Sequence, residues 1–202
     1  MQTNDYLKLL VEQIHSCTVA TIGADGHPQT RVIDMMLWDN EGVYFLTAKG
    51  KSFYQQLITQ QYLSLSATKE GQAVSLRGKI KSIGHAKLDE IFIKNPYMQK
   101  IYPVGTRSAL EVFWIYEAQG EYFDISDPAH VVRDSFVIGT GENQQTGYFV
   151  GQGCTGCQRC STVCPQNCIV VAEKSAHIAQ NHCLHCGRCA EVCPVQCIER
   201  NL

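Results

Sequence analysis

Residues 154–165 read CTGCQRCSTVCP, and residues 183–194 read CLHCGRCAEVCP. Both stretches have the spacing C-x2-C-x2-C-x3-C-P, and a shift of about 29 residues maps one onto the other. The same shift maps Cys168-Ile169 onto Cys197-Ile198. The chain has eleven cysteines, and all except Cys17 belong to this internal repeat.

The spacing is that of bacterial proteins that bind two 4Fe–4S clusters. Three cysteines two residues apart can direct their thiolates toward one cluster, and the fourth, beyond a helical turn, reaches the other cluster. The sequence therefore predicts two ligand sets that cross between the halves of the repeat. The first set is Cys154, Cys157, Cys160 and Cys193. The second set is Cys183, Cys186, Cys189 and Cys164.

Zinc sites also use C-x2-C pairs, but they need neither the third evenly spaced cysteine nor the trailing proline. We interpret Cys168 and Cys197 as small core residues rather than ligands. The module resembles bacterial two-cluster ferredoxins over residues 147–202. A segment of about 55 residues buries too little apolar surface to fold unaided, so we expect metal loss to unfold it.

The remaining composition is unremarkable. The 202 residues carry a formal net charge of −2, which gives no reason to expect binding to nucleic acid or to a membrane surface. There is no apolar run long enough to span a bilayer and no signal-peptide pattern at Met1, so we expect a cytoplasmic protein. The density of cysteines changes near residue 150, which predicts two domains, 1–146 and 147–202.

The first three-quarters of the chain have mostly the pattern of β-strands. Asn4 or Asp5 is expected to cap a helix that begins the chain, and residues 86–100 are expected to form a later helix. A short helix is also expected from Ser52 to Thr59. The predicted strands are 17–22, 30–33, 43–47, 62–68, 73–83, 108–116 and 121–125. Many antiparallel strands with short turns indicate a small barrel, so the fold class is mainly β with α.

Three segments carry a family resemblance. They are Thr18–Ile33, Val43–Ser52 and Val74–Gly78. Their order and residues resemble the pyridoxamine-5′-phosphate-oxidase-like FMN-binding split barrels over about residues 5–126. The resemblance implies a split β-barrel followed by the small α+β ferredoxin-like domain.

In that family FMN lies at the interface of a homodimer, so the resemblance implies both a cofactor and a second subunit. The residues that match its flavin strand are Arg31, Val32, Ile33 and Asp34. Those that match its phosphate site are Thr47, Lys49, Lys51 and Ser52, while Gln72 lies where the partner subunit would touch the flavin. A phosphate dianion suits an Arg fork, a Lys charge and donors at a helix start. Three alternatives stay open. Arg31, Lys49 and Lys51 could be solvated charges, Thr47 could simply be a β-strand former, and Trp114 could be either a core residue or a flavin contact.

One departure bears on activity. Pyridoxamine-phosphate oxidases carry a C-terminal segment with Arg and His that holds the substrate phosphate, and here residues 131–147 and the cysteine module replace it. We therefore expect an iron–sulfur flavoprotein oxidoreductase that passes electrons between two 4Fe–4S clusters and FMN. An external donor such as a ferredoxin and a small organic substrate would complete the reaction. An electron carrier without its own substrate and a redox sensor are the alternatives.

Overall fold

The computed structural model describes residues 1–141 and 146–201. Residues 142–145, just before the predicted boundary at 146/147, lie outside the described residues. The chain divides into two compact units. The first comprises Met1–Lys69, Ala73–Glu121 and a segment that begins at Phe136, and the second comprises Glu70–Gln72, Tyr122–Ser135 and the C-terminal segment. In the described part of the chain, no helix has both the length and the apolar character needed to cross a membrane.

The first unit begins with helix α1 (Thr3–Lys8), which continues as a π-helix over Leu9–Ile14. The predicted cap at Asn4 or Asp5 is wrong, because the helix begins earlier. Asp5 lies in the first turn, where its carboxylate accepts the backbone N–H of Gln2 at 2.8 Å. The apolar face of the helix is buried, as its spacing predicts.

Six strands close a barrel and a seventh extends its sheet. They are β1 (Ser16–Ile22), β2 (Pro28–Asp39), β3 (Gly42–Ala48), β4 (Tyr62–Lys69), β5 (Gln72–Ser82), β6 (Leu110–Asp124) and β7 (Val132–Ile138). The order in the sheet is β3-β2-β1-β4-β5-β6-β7, and β3 also pairs with β6. That last pairing closes the barrel, so the mainly-β barrel predicted from the sequence is confirmed.

Side chains of alternating burial explain these strands. In β4, Leu63 and Leu65 point into the barrel while Ser64 and Ser66 face outward. Strand β3 is buried along most of its length, because its outer face is covered as well. Inside the barrel the rings of Phe45 and Phe113 stack with centroids 5.6 Å apart.

Several elements differ from the predictions. Strand β2 runs over Pro28–Asp39, whereas only residues 30–33 were predicted. The strands predicted at 108–116 and 121–125 form the single strand β6, and strand β7 was not predicted at all. After β3 the short helix α2 spans Ser52–Gln60, close to its prediction.

The helix predicted at 86–100 divides into α3 (Leu88–Lys94) and α4 (Met98–Ile101). The division falls at Asn95-Pro96, since proline has no N–H and disfavours helical backbone in the residue before it.

The described C-terminal segment of the second unit, residues 146–201, includes a 3-10 helix (Gln180–His182) in addition to four short strands and two single-turn α-helices. The strands and α-helices are β8 (Gly147–Val150), α5 (Arg159–Thr162), β9 (Ile169–Ala172), β10 (Ser175–Ile178), α6 (Arg188–Glu191) and β11 (Ile198–Asn201). Strand β8 pairs antiparallel with β11, and β9 pairs with β10. The repeat extends to the backbone: Gln158 and Gly187, which precede the two helices, both have positive φ, 65° and 81°.

A segment before the cysteine module packs on it within this unit. The Gln166 amide donates to Pro128 O at 3.0 Å, and its oxygen accepts the Val131 N–H at 3.1 Å. The ring of His182 lies 2.9 Å from the Val131 carbonyl oxygen. The cysteine module therefore includes contacts from residues well before position 147.

The Asn95 side chain stabilises the junction between α3 and α4. It is buried, and its amide donates to Met36 O at 2.8 Å and to Ile91 O at 2.9 Å. We expect Asn95→Ala to lower the free energy of unfolding by about 1–3 kcal/mol, because two buried carbonyls lose their donor. Asn95→Asp should cost more, since it places carboxylate oxygens against the same carbonyls.

Urea unfolding followed by tryptophan fluorescence measures this change, since both tryptophans, Trp38 and Trp114, lie in the first unit. The matched control is Asn4→Ala, which removes an exposed amide pair with Asn40 and should stay within about 0.5 kcal/mol. Equal stability of the Asn95 and Asn4 variants would show that the buried amide does not hold the junction.

Candidate cofactor sites

One pocket of the second unit is lined by cysteines from both halves of the repeat. They are Cys154, Cys157, Cys160 and Cys193, together with Cys197. The first three come from the loop before α5 and from α5 itself, and Cys193 follows α6. The structure thus brings together the four members of the first predicted ligand set.

A second pocket repeats the arrangement with the halves exchanged. Its cysteines are Cys183, Cys186, Cys189 and Cys164, together with Cys168. These include all four members of the second predicted set. The single helical turn between the third and fourth cysteine of each motif directs the fourth sulfur to the opposite cavity.

The surroundings of the sulfurs suit thiolate ligands. The backbone N–H of Ala176 points at Cys154 Sγ at 3.4 Å, and that of His185 points at Cys183 Sγ at 3.4 Å. Backbone N–H groups of Gly156 and Ala176 lower the pKa of Cys154 below its ordinary value. Cys157 and Cys186 are exposed, so one corner of each cavity faces solvent.

Among the described residues, no group of three or more His, Cys, Asp or Glu side chains is close enough to hold a single metal ion. The ligands of a four-iron cluster stand farther apart than those of one tetrahedral ion, because the cube of iron and sulfide lies between them.

In the first unit, Arg31 lies beside helix α2. Its guanidinium donates to Thr21 Oγ1 and, at 2.9 Å, to Gln56 Oε1. It also lies over the ring of Phe53, 4.5 Å from the centroid. The Thr21 hydroxyl donates to the same Gln56 oxygen at 2.6 Å. This network fixes a cation next to the first turn of α2.

That first turn belongs to the predicted phosphate segment. Helix α2 begins at Ser52, and the preceding Lys51 has extended backbone and makes no side-chain cap. The first N–H groups of a helix have no intrahelical partner and can bind an anion, although in α2 the Tyr54 N–H already donates to the Lys51 carbonyl oxygen at 3.0 Å. Lys51, Ser52 and the adjacent Arg31 therefore place a helix start and positive charge together.

Thr47, at the end of β3, has an unsatisfied hydroxyl. The residue is 2% exposed, and its Oγ1 has no hydrogen-bond partner among the described residues. A buried hydroxyl without a partner is costly, and a bound ligand can satisfy it. The unpaired Thr47 hydroxyl is therefore the feature of the barrel that fits a bound cofactor.

Lys49 is already paired. Its ammonium lies 3.3 Å from Glu111 Oε1, and the same carboxylate accepts the hydroxyls of Ser82 at 2.6 Å and Tyr54 at 2.9 Å. These contacts, led by Ser82, hold the pKa of Glu111 below its ordinary value. Lys49 therefore has a carboxylate partner that a phosphate would have to share.

The other residues predicted to contact the flavin have different surroundings from one another. Val32 faces outward with 68% of its surface exposed, whereas Ile33 is half-buried. Asp34 accepts hydrogen bonds from Ser16 Oγ at 2.6 Å and Tyr97 OH at 2.9 Å. Gln72 belongs to the second unit, where its amide lies 3.4 Å from Asp124 Oδ2.

Sequence reasoning missed the residues that hold Arg31, namely Thr21, Phe53 and Gln56. The last two lie on one face of α2, so helical spacing from Ser52 could have indicated them. It also missed the chain from His15 Nε2 to Tyr97 OH, 2.9 Å long, that continues to Asp34. No sequence signal points to it, since the two residues are 82 positions apart.

Trp114 is half-buried and packs at the edge of the core. Its indole N–H donates to Glu41 O at 3.0 Å, and its ring stacks on that of Tyr44, with centroids 6.0 Å apart. It packs against the buried cluster that includes Tyr44 and Phe92.

Comparison with known proteins gives two family matches. The family described as pyridoxamine 5′-phosphate oxidase matches residues 4–122, and a 4Fe-4S dicluster domain matches residues 147–194. The curated pyridoxine/pyridoxamine 5′-phosphate oxidase of Paracidovorax citrulli is 27% identical over 93 residues, which are 45% of this chain and 41% of that protein. The chain thus aligns with less than half the length of this relative.

Solved structures show a similar fold. A NimC/NimA family protein of Clostridium acetobutylicum superposes with a TM-score of 0.56 at 17% identity, covering 67% of this chain and 92% of that one. A protein of the same organism related to general stress protein 26 gives a TM-score of 0.50 at 17% identity, covering 63% and 88%. The first family match spans more than half of the sequence, and this chain therefore belongs to the pyridoxamine 5′-phosphate oxidase family, with a 4Fe-4S dicluster domain following its barrel.

Proposed function

We propose that this chain is an iron–sulfur flavoprotein oxidoreductase. It binds two 4Fe–4S clusters in its C-terminal module and FMN on its barrel, and it reduces a small organic substrate with electrons from an external donor such as a ferredoxin. The observation that carries the proposal is the joining, in one chain, of a barrel of this family with two cavities, each lined by the first three cysteines of one motif and the fourth cysteine of the other.

The cluster half of the proposal rests on the donor set. Each cavity offers four thiols, which are the ligands that a 4Fe–4S cluster requires. The backbone N–H groups of Ala176 and His185, which point at Cys154 Sγ and Cys183 Sγ, would stabilise the thiolate forms of these two cysteines. One exposed cysteine at each cavity, Cys157 or Cys186, gives an electron donor a short approach.

The flavin half rests on the cation and donors at the start of α2. Arg31, Lys51 and Ser52 would hold the phosphate of FMN, and Thr47 would donate its orphan hydroxyl to the same ligand. The contacts to Thr21 and Gln56 hold the Arg31 guanidinium in place before the phosphate arrives. When bound, FMN exchanges one or two electrons, whereas each cluster exchanges one.

The remaining parts of the proposal follow the family resemblance. We place FMN at the interface of a homodimer, where Gln72 of the partner subunit would reach the flavin. We expect the protein to act in the cytoplasm. We propose no general acid. The low-charge chain gives no reason to expect a nucleic-acid partner.

Crossed ligation is tested by pairs of cysteine substitutions. Anaerobically purified wild-type protein should hold about eight irons and one FMN per chain. In Cys154→Ala/Cys193→Ala both changes fall on one cluster, so about four irons should remain. In Cys154→Ala/Cys164→Ala they fall on both clusters, and nearly all iron should be lost. Iron and sulfide analysis measures this, and the opposite pattern would show that each motif binds its own cluster.

The orphan hydroxyl makes Thr47→Val an informative change. We expect it to weaken FMN binding about tenfold, which corresponds to about 1.4 kcal/mol, as a ligand hydrogen bond is lost. Stability of the flavin-free protein should hold or rise, because the variant no longer buries an unpaired hydroxyl. Fluorescence titration of flavin-free protein with FMN, combined with urea unfolding, gives both quantities.

Thr21→Val is the matched control, because the Thr21 hydroxyl is buried but bonded to Arg31 and Gln56. It should destabilise the flavin-free protein by about 1–3 kcal/mol. A Thr47→Val protein that binds FMN as tightly as the wild type would remove Thr47 from the flavin site.

A further inference from the structure

We propose that the thiols of Cys168 and Cys197 donate S–H···S hydrogen bonds to the ligand sulfurs of Cys164 and Cys193, and that these two bonds raise the reduction potentials of the clusters. The inference rests on the proposed function, because it requires that both cavities hold a cluster. It gives a role to the two repeat cysteines that the crossed ligand sets leave out.

The distances support these bonds. Cys168 Sγ lies 3.4 Å from Cys164 Sγ, and Cys197 Sγ lies 3.6 Å from Cys193 Sγ. Both donors are 7% exposed, so water hardly competes for their thiols. Each thiol also lines the cavity of the cluster whose ligand it contacts.

The backbone explains how each thiol comes to lie against a ligand. After each motif the chain makes a tight turn, in which Asn167 N–H donates to Cys164 O and Gln196 N–H donates to Cys193 O, both at 3.2 Å. Asn167 and Gln196 have φ values of 50° and 51°. The turn places the residue four positions after the ligand next to the ligand's own sulfur. The same contact thus forms twice, in two halves with different neighbouring residues.

The chemistry assigns the proton. A thiol that binds no metal carries a hydrogen that it can donate, whereas a cluster ligand is a thiolate and can only accept. Cys168 and Cys197 are therefore the donors, and Cys164 and Cys193 are the acceptors.

The consequence is a change in potential. One-electron reduction makes a cluster and its thiolates more negative by one charge, so a donor to a ligand sulfur stabilises the reduced state more than the oxidised state. Hydrogen bonds to the sulfurs are among the factors that set cluster potentials. The backbone donors at Cys154 and Cys183 act in the same direction, and each thiol adds one donor to a different ligand of the cluster.

The test compares the midpoint potentials of both clusters in the anaerobic full-length protein, by electrode titration followed with EPR and absorbance. Cys168→Ala should lower the potential of the cluster bound by Cys164 and leave the other unchanged. Cys197→Ala should do the reverse. We expect about a tenfold smaller ratio of reduced to oxidised cluster at a fixed potential, equal to about 59 mV for a one-electron couple.

Serine variants keep a donor, so Cys168→Ser and Cys197→Ser should retain potentials at or above the wild-type values. They also keep the proposal testable if an alanine variant fails to assemble its cluster. Cys17→Ala is the matched control, since it removes a buried thiol of the first unit and should shift neither potential.

Iron and sulfide content separates failure of this inference from failure of the proposed function. Wild-type protein that binds no clusters would refute the proposed function itself. Alanine variants that keep about eight irons with unchanged potentials, or serine variants with lowered potentials, would overturn the hydrogen-bond assignment.

Discussion

The crossing of the fourth cysteine is the constraint on which the C-terminal module depends. Each cavity takes three sulfurs from one half of the repeat and one from the other, so neither half can bind its cluster alone. The strands of this module are only four residues long, and its buried cluster consists largely of cysteines. Bound clusters would thus supply the stability that so small a core lacks.

The barrel reaches its stability by a different route. The long strand β6 pairs with β5, β7 and β3, and the last pairing closes the barrel without a free edge between β3 and β6. Helix α2 follows β3 in the chain, and its first turn lies against Arg31 on β2. Positive charge and a helix start therefore lie together on the first unit, and the unsatisfied hydroxyl of Thr47 lies five residues before that helix.

Part of this arrangement could be predicted from the sequence. Cysteine spacing predicted which four sulfurs share a cavity, because a short loop and one helical turn leave the backbone few other courses. The β-strand pattern of the sequence predicted β1, β3, β4 and β5 to within one residue at each end, but it predicted only residues 30–33 of β2. Asn95-Pro96, by contrast, ends a helix whose apolar pattern continues beyond it, so periodicity alone extended the prediction too far.

The rest depends on tertiary contacts. Thr21, Gln56 and Arg31 meet only after β1, β2 and α2 pack together, and Asp34 turns to Tyr97 rather than to the phosphate segment. Strand β7 lies in a region that carried no distinct pattern, and it forms because β6 offers it a partner. The family resemblance predicted the flavin residues, but only the packed structure shows which of them lie beside α2.

Electron transfer from the clusters to the flavin can be measured by rapid mixing of the oxidised, fully loaded protein with a chemically reduced ferredoxin. Absorbance separates cluster bleaching from flavin bleaching in time. We expect the clusters to bleach first and the flavin to follow, and we expect removal of one cluster with Cys154→Ala/Cys193→Ala to slow flavin reduction at equal FMN content. Flavin reduction at the same rate with and without that cluster would contradict electron transfer through the cysteine module.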